Sequence, residues 1–144
     1  MIESCDTNIL FHAFDKSGSL FVKARAYLDS QASNRQFALC ELVLCELYPL
    51  LRREALWEKP MTAQEALRTI QGLRNNEAWR IIDYPGGLMD DVWKRAAAPQ
   101  FPKSGVFDVR LAMTLRHYGV THVATRNVKH FQGYGFEKVY DPTA

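Results

Sequence analysis

The sequence predicts an α/β fold, a single-domain α/β/α sandwich in which a mostly parallel central sheet is covered by helices on both faces. Three observations lead there. Short apolar runs alternate with segments whose apolar residues recur at helical spacing. Glycines, prolines and N-cap residues punctuate the boundaries between them. The length, 144 residues, is that of one ordinary domain, with no room for a second.

Taken in order, residues 1–5 form a short, partly apolar strand, and Asp6-Thr7-Asn8 follow as an acidic loop of residues that favour turns and helix N-caps. Leu20, Phe21, Ala24, Tyr27 and Leu28 set a helical period over residues 20–31, which returns the chain to a second strand at 36–40. Residues 41–53 read as a helix apolar over most of its circumference, hence buried on more than one side. Pro49 inside it predicts a kink, because proline lacks the N–H that the helix ladder needs. Thr62-Ala63-Gln64-Glu65 is a capping box opening a helix through Arg74, the hydroxyl and the carboxylate each satisfying a free amide. A third strand at 79–83, a turn at Pro85-Gly86-Gly87 and a helix at 88–98 follow, the helix stopped by Pro99 and Pro102. Beyond a loop at 98–105, residues 106–118 form a helix closed by Gly119 as a left-handed residue past its end. Residues 120–125 make a buried strand, and Gly133 and Gly135 turn the chain into a last strand at 137–140.

Composition narrows the class. Apolar residues are 47% of the chain and charged residues 24%, the balance of a packed globular protein and not of a disordered one. The net charge of +2 neither requires nor excludes a nucleic-acid partner. Cys5, Cys40 and Cys45 are odd in number and none is spaced C-x-x-C, which argues against a disulfide framework or a zinc finger. Reduced, mostly buried thiols are expected. No window approaches the ~18 apolar residues of a membrane span, and the start of the chain lacks a basic region followed by an apolar one, so a cytoplasmic protein is expected.

Chemistry is expected where the carboxyl ends of parallel strands meet, since loops from distant parts of the sequence gather there. Asp6 directly follows the first strand, Glu46 lies just over a helical turn after the second, and Asp108 sits in the first turn of the helix before the fourth. Several ionised carboxylates in one cleft repel one another unless a divalent cation neutralises them. Hard oxygen ligands select Mg²⁺ or Mn²⁺ and not zinc. Metal-assisted phosphodiester hydrolysis is the reaction class implied. Each acid also has a plainer role: Asp6 as a helix cap, Asp108 as a complement to its helix dipole, and Glu46 as a partner of Arg52 or Arg53. Glu41, the rival of Glu46, stands at the mouth of its helix, where capping or exposure is expected.

Four segments, "CDTNIL", "LVLCELYPLLRR", "VFDVRLAMTLRHYGV" and "HVATRNVKHF", together resemble the PIN-domain family, and within it the VapC-type toxins of bacterial toxin–antitoxin pairs. The resemblance spans nearly the whole chain, residues 1–144. It implies an α/β/α fold, a Mg²⁺- or Mn²⁺-dependent endoribonuclease, an RNA substrate, a homodimer and a cognate antitoxin. It puts Asp6, Glu46 and Asp108 in the places of the metal-binding acids, and Asn8 and Thr125 in those of supporting polar residues. Many members carry a fourth acid three residues after the last motif's Asn, where this chain has His130. Asn127 or His130 then takes the place of that carboxylate, and a nitrogen ligand would suit Mn²⁺ better than Mg²⁺. Arg126 and Lys129, beside this motif, are the favoured contacts to an RNA backbone. Trp57, Trp79 and Trp93 read equally as base-stacking or buried residues.

Two other functions compete. Aspartyl-phosphate chemistry also begins with an acid after a first strand, but it usually wants a second Asp two residues on, where Asn8 stands. A degenerate PIN domain would bind RNA or a protein partner without cleavage, an alternative that His130 keeps open.

Overall fold

Five three-residue strands, β1 (Glu3–Cys5), β2 (Ala38–Cys40), β3 (Arg80–Ile82), β4 (His122–Ala124) and β5 (Lys138–Tyr140), organise the chain in a computed structural model that describes residues 1–144. All pair in parallel: β1 with β4, β4 with β5, and β2 with β3. A parallel bridge between Glu3 and Phe37 joins the two ladders, so the strands run β3-β2-β1-β4-β5. The winding reverses at β1: the chain moves outward through β2 and β3, then returns to β4 on the other side. A crevice opens at such a reversal, beyond the carboxyl ends of β1 and β4.

Seven helices wrap this sheet: α1 (Thr7–Phe14), α2 (Phe21–Gln31), α3 (Glu41–Arg52), α4 (Ala63–Arg74), α5 (Leu88–Ala96), α6 (Gly105–His117) and α7 (Val128–Phe131). Every residue of β1 and β2 is buried, as expected where helices cover both faces. The main core draws Ile9 and Leu10 from α1, Leu39 from β2, Val43 and Leu47 from α3, and Leu111 and Leu115 from α6. A smaller cluster of Leu88, Val92 and Val109 fastens α5 to α6. No helix is long and apolar enough to cross a membrane.

The local signals hold at their termini. Thr62 Oγ1 accepts from the Glu65 amide and Glu65 Oε1 from the Thr62 amide, both at 3.2 Å, the reciprocal capping that the sequence announces. Gly119 follows α6 at φ 80°, the left-handed region where a side chain would be strained. Pro49 does not break its helix. α3 runs unbroken from Glu41 to Arg52, and Pro49 lies on its exposed side, along with Cys45 one turn earlier.

Two helices exceed the sequence expectation. The Asp6-Thr7-Asn8 segment is the start of α1, with Asp6 as its N-cap and Ile9, Leu10 and Ala13 buried. Eight residues are too few for a helical period to stand out. α7 is a single turn, shorter still. Of the cysteines, Cys5 and Cys40 are buried free thiols, whereas Cys45 is exposed. Glu3 is a buried carboxylate on β1, where Tyr27 of α2 and Tyr140 of β5 donate hydroxyls to its Oε2 at 2.6 and 2.5 Å. Burial, and then the adjoining Glu3, push the Tyr140 hydroxyl above the usual phenol range.

Candidate active site

The turn after β1 carries the first acid. The Asp6 amide donates to the Ala124 carbonyl at 2.9 Å, extending the β1–β4 ladder by one bond and placing the side chain above the crevice. Its Oδ1 accepts from the Thr7 amide at 2.8 Å, which caps α1. Its Oδ2 accepts from the Thr125 hydroxyl at 2.8 Å and from the Asn8 side-chain amide at 3.3 Å. Asp6 is therefore both a helix cap and a fixed acceptor at the sheet edge, and the plain role and the chemical one coexist.

Asn8 and Thr125 bind the two strand ends together. Asn8 Oδ1 accepts from the Arg126 amide at 3.1 Å, while Thr125 Oγ1 accepts from the Asn127 amide at 3.0 Å. Thr7, which the sequence reading passed over, links the acids: its hydroxyl donates to Glu46 Oε1 at 3.3 Å. The available signal was a threonine directly after a capping acid. Glu46 comes from α3, and Asp108 from the first turn of α6. Asp108 Oδ2 lies 2.9 Å from His130 Nδ1 on α7.

Asp6, Thr7, Asn8, Glu46, Asp108 and Asn127 line one pocket of about 420 Å³, with Arg53 and Phe11 also on its wall. No lysine or arginine forms an ion pair with Asp6, Glu46 or Asp108. The consequence is electrostatic. Burial lifts the Asp6 carboxyl above the usual carboxylate range, against the lowering influence of its Thr125 and Thr7 hydrogen bonds, and the charge of Asp108 lifts it further. Glu46 is lifted first by burial and then by the charge of Asp6. Three carboxylates without a lysine or arginine partner fit a hard divalent ion in kind. They line the pocket without converging: no three His, Cys, Asp or Glu side chains stand close enough together to hold a metal ion.

The other predicted residues divide. Asn127 reaches the pocket, while His130 meets Asp108 from outside it. Arg126 turns its guanidinium away, with Nε 3.8 Å from Asp141 and Nη1 3.4 Å from His12. Lys129 lines an adjoining cavity that Asp108 and His130 also border. Glu41 is taken by Arg74, whose Nε and Nη2 both lie 2.6 Å from its Oε1. Arg53 lines the pocket without pairing with Glu46. Trp79 is buried and Trp57 partly so, each donating its indole N–H to a backbone carbonyl at 2.7 Å, whereas Trp93 is exposed on α5.

No family profile matches the chain. Ribonuclease VapC24 of Mycobacterium tuberculosis, in the strains CDC 1551 / Oshkosh and ATCC 25618 / H37Rv, is 41% identical over 139 residues, covering 96% of this chain and 95% of the relative. Among solved structures, M. tuberculosis VapC20, described as a sarcin-ricin loop cleaving toxin, superposes with a TM-score of 0.70 at 15% identity, over 93% of this chain and 95% of that one. FitAB bound to an IR36 DNA fragment gives 0.70 at 17% identity, over 99% and 96%. FitAcB from Neisseria gonorrhoeae gives 0.62 at 17% identity, over 98% of both chains. At such low identity these structures show a shared fold, and it is the likeness to VapC24 along nearly the full length that assigns the family. The chain belongs to the VapC ribonucleases of the PIN-domain family.

Proposed function

We propose that this protein is a metal-dependent endoribonuclease that hydrolyses RNA phosphodiester bonds as the toxin of a toxin–antitoxin pair. The observation that carries the reading is the pocket at the β1–β4 reversal, which Asp6, Glu46 and Asp108 line without a lysine or arginine ion-pair partner. The name of its relative VapC24, a ribonuclease, supports it. Mg²⁺ or Mn²⁺ held by Asp6, Glu46 and Asp108 would supply charge neutralisation at the phosphate and a lowered pKa for attacking water. The chain's own contribution is positioning. Thr7 and Thr125 hold the Asp6 carboxylate from both sides, and Thr7 ties Glu46 to the same turn. Asn127 adds a neutral polar group to the same pocket. Water is the nucleophile, and the carboxylates are the pocket's acceptors for its protons. On this reading the protein works in the cytoplasm, forms a homodimer and is held by a cognate antitoxin.

A second reading, binding of RNA or a protein partner without cleavage, is favoured by two observations: the acids do not converge to ligating distance, and His130 engages Asp108. Incubating the purified protein with RNA in EDTA, Mg²⁺ or Mn²⁺, alongside Asp6→Asn and Asp108→Asn, separates the two. Cleavage that needs a metal and is lost in both variants supports the nuclease. RNA left intact by the wild type in every metal rejects it.

A further inference from the structure

Beside the acidic pocket lies a larger cavity. About 1030 Å³ in volume, it shares Asp108 with that pocket and is lined by the end of α5, the loop to α6, the start of α6, α7 and the loop beyond. Its size is at the upper end of small-ligand sites, roughly 300–1,000 Å³. Its charge is opposite to that of the acidic pocket. Lys94, Arg95, Lys103 and Lys129 line it, and Asp108 is its one carboxylate. A chain with a net charge of only +2 has thus gathered four cations from three segments around one opening.

The wall is also aromatic. Tyr134 is half-buried there, with the Arg95 guanidinium 5.2 Å from its ring centroid, a cation–π pair that braces the ring. Phe101 packs on Gly105, where an added Cβ would come within 3.0 Å of the ring, so the glycine permits this close seat. Cations beside aromatic faces are what a nucleotide demands, its phosphate taking the former and its base the latter. A base inside a duplex shows only its edges and cannot enter such a cavity, whereas an unpaired one can.

We infer that this cavity seats an unpaired nucleotide of the RNA adjoining the scissile phosphate, its phosphate on Lys103 and Lys129 and its base against Tyr134 and Phe101. The inference rests on the ribonuclease reading, because Asp108 joins the cavity to the acidic pocket and so places neighbouring units of one strand in both.

Binding and cleavage test it separately. In the full-length Asp6→Asn background, the affinity for a fluorescein-labelled single-stranded oligoribonucleotide is measured by anisotropy across salt concentrations, against a duplex of the same sequence. Tyr134→Ala is expected to weaken single-strand binding by about fivefold or more, the loss of one stacking contact. Lys103→Ala with Lys129→Ala is expected to lower the slope of log affinity against log salt by about 1.4, roughly 0.7 for each phosphate contact. Both lysines are exposed, so this variant will fold whether or not the tyrosine variant does. Unchanged affinity and slope in these variants, or a preference for the duplex, overturns the inference while metal-dependent cleavage by the wild type leaves the ribonuclease reading standing. A wild type that cuts no RNA in Mg²⁺ or Mn²⁺ removes that reading, and with it any scissile bond for the nucleotide to adjoin.

Discussion

His130 Nδ1 lies 2.9 Å from Asp108 Oδ2, so the residue standing where the PIN-domain resemblance implies a fourth acid is joined to one of the three acids of the pocket. The imidazole comes from α7 and the carboxylate from α6, and the contact holds the first turns of both helices against the mouth of the pocket. Removing a partner that orients a ligating carboxylate typically costs about 10- to 100-fold in metal affinity or activity. His130→Ala is therefore expected to slow RNA cleavage by at least about tenfold. Both side chains are substantially exposed, so the unfolding free energy in urea should change by less than about 0.5 kcal/mol. Cleavage at the wild-type rate would show the imidazole to be dispensable.

Thr125 is fully buried, donates to Asp6 and accepts from the Asn127 amide. Thr125→Val keeps the shape and leaves two polar groups unmatched, at a cost of about 1–3 kcal/mol in unfolding free energy. Thr125→Ser should restore most of that loss. Urea unfolding of the three proteins measures it, and equal midpoints for valine and threonine would contradict the geometry.

Stability without metal should fall as pH rises from the acid side. Asp6 and Glu46 both have carboxyls raised in the folded protein, chiefly by burial. Below the ordinary carboxylate pKa of about 4, both states are protonated and no penalty exists. Above it the unfolded chain ionises first, binds fewer protons and gains relative stability until the pH passes the raised folded values. In EDTA, Glu46→Gln should therefore be more stable than the wild type at pH 7, with the two converging near pH 4. A glutamine variant less stable at both pH values would reverse the sign.

Divalent cation should remove that penalty. Mg²⁺ or Mn²⁺ at a hundredfold excess over its dissociation constant would stabilise the folded state by about 2.7 kcal/mol, or about 2–4 °C in Tm per kcal/mol for a chain near this size. Asp108→Asn should shrink the response. Thermal melts in EDTA and in each metal read it directly, and identical curves for the wild type in all conditions would argue against a metal site.

Glu41 supplies the control. It stands in the same helix as Glu46 but is held by Arg74 and is absent from the pocket wall. Glu41→Gln should leave cleavage unchanged, while Glu46→Gln abolishes it. Equal losses in the two would mean that the acid was misassigned.

Much of the architecture was legible because its causes are local. The Thr62–Glu65 capping box joins residues three apart, Gly119 answers the geometry of a single helix end, and the succession of apolar runs orders the strands and helices. α1 and α7 escaped because one or two turns hold too few apolar residues to show a period. Pro49 lies inside α3 without interrupting it, on the side that faces away from the core, a placement that only the packing of the helix decides.

The sequence by itself determined which residues were available for chemistry: acids at position 6 after the first strand, at 46 just over a helical turn after the second, and at 108 in the first turn of a helix. Only the tertiary structure decided how they meet. Thr125 reaches Asp6 across 119 positions and Thr7 reaches Glu46 across 39, both through the order in which parallel strands pack around β1. The same packing set His130 on Asp108 and drew four scattered cations around the cavity beside it. Contacts between residues so far apart leave no period or spacing in the chain, because they are formed by the burial of a shared core and not by neighbouring residues.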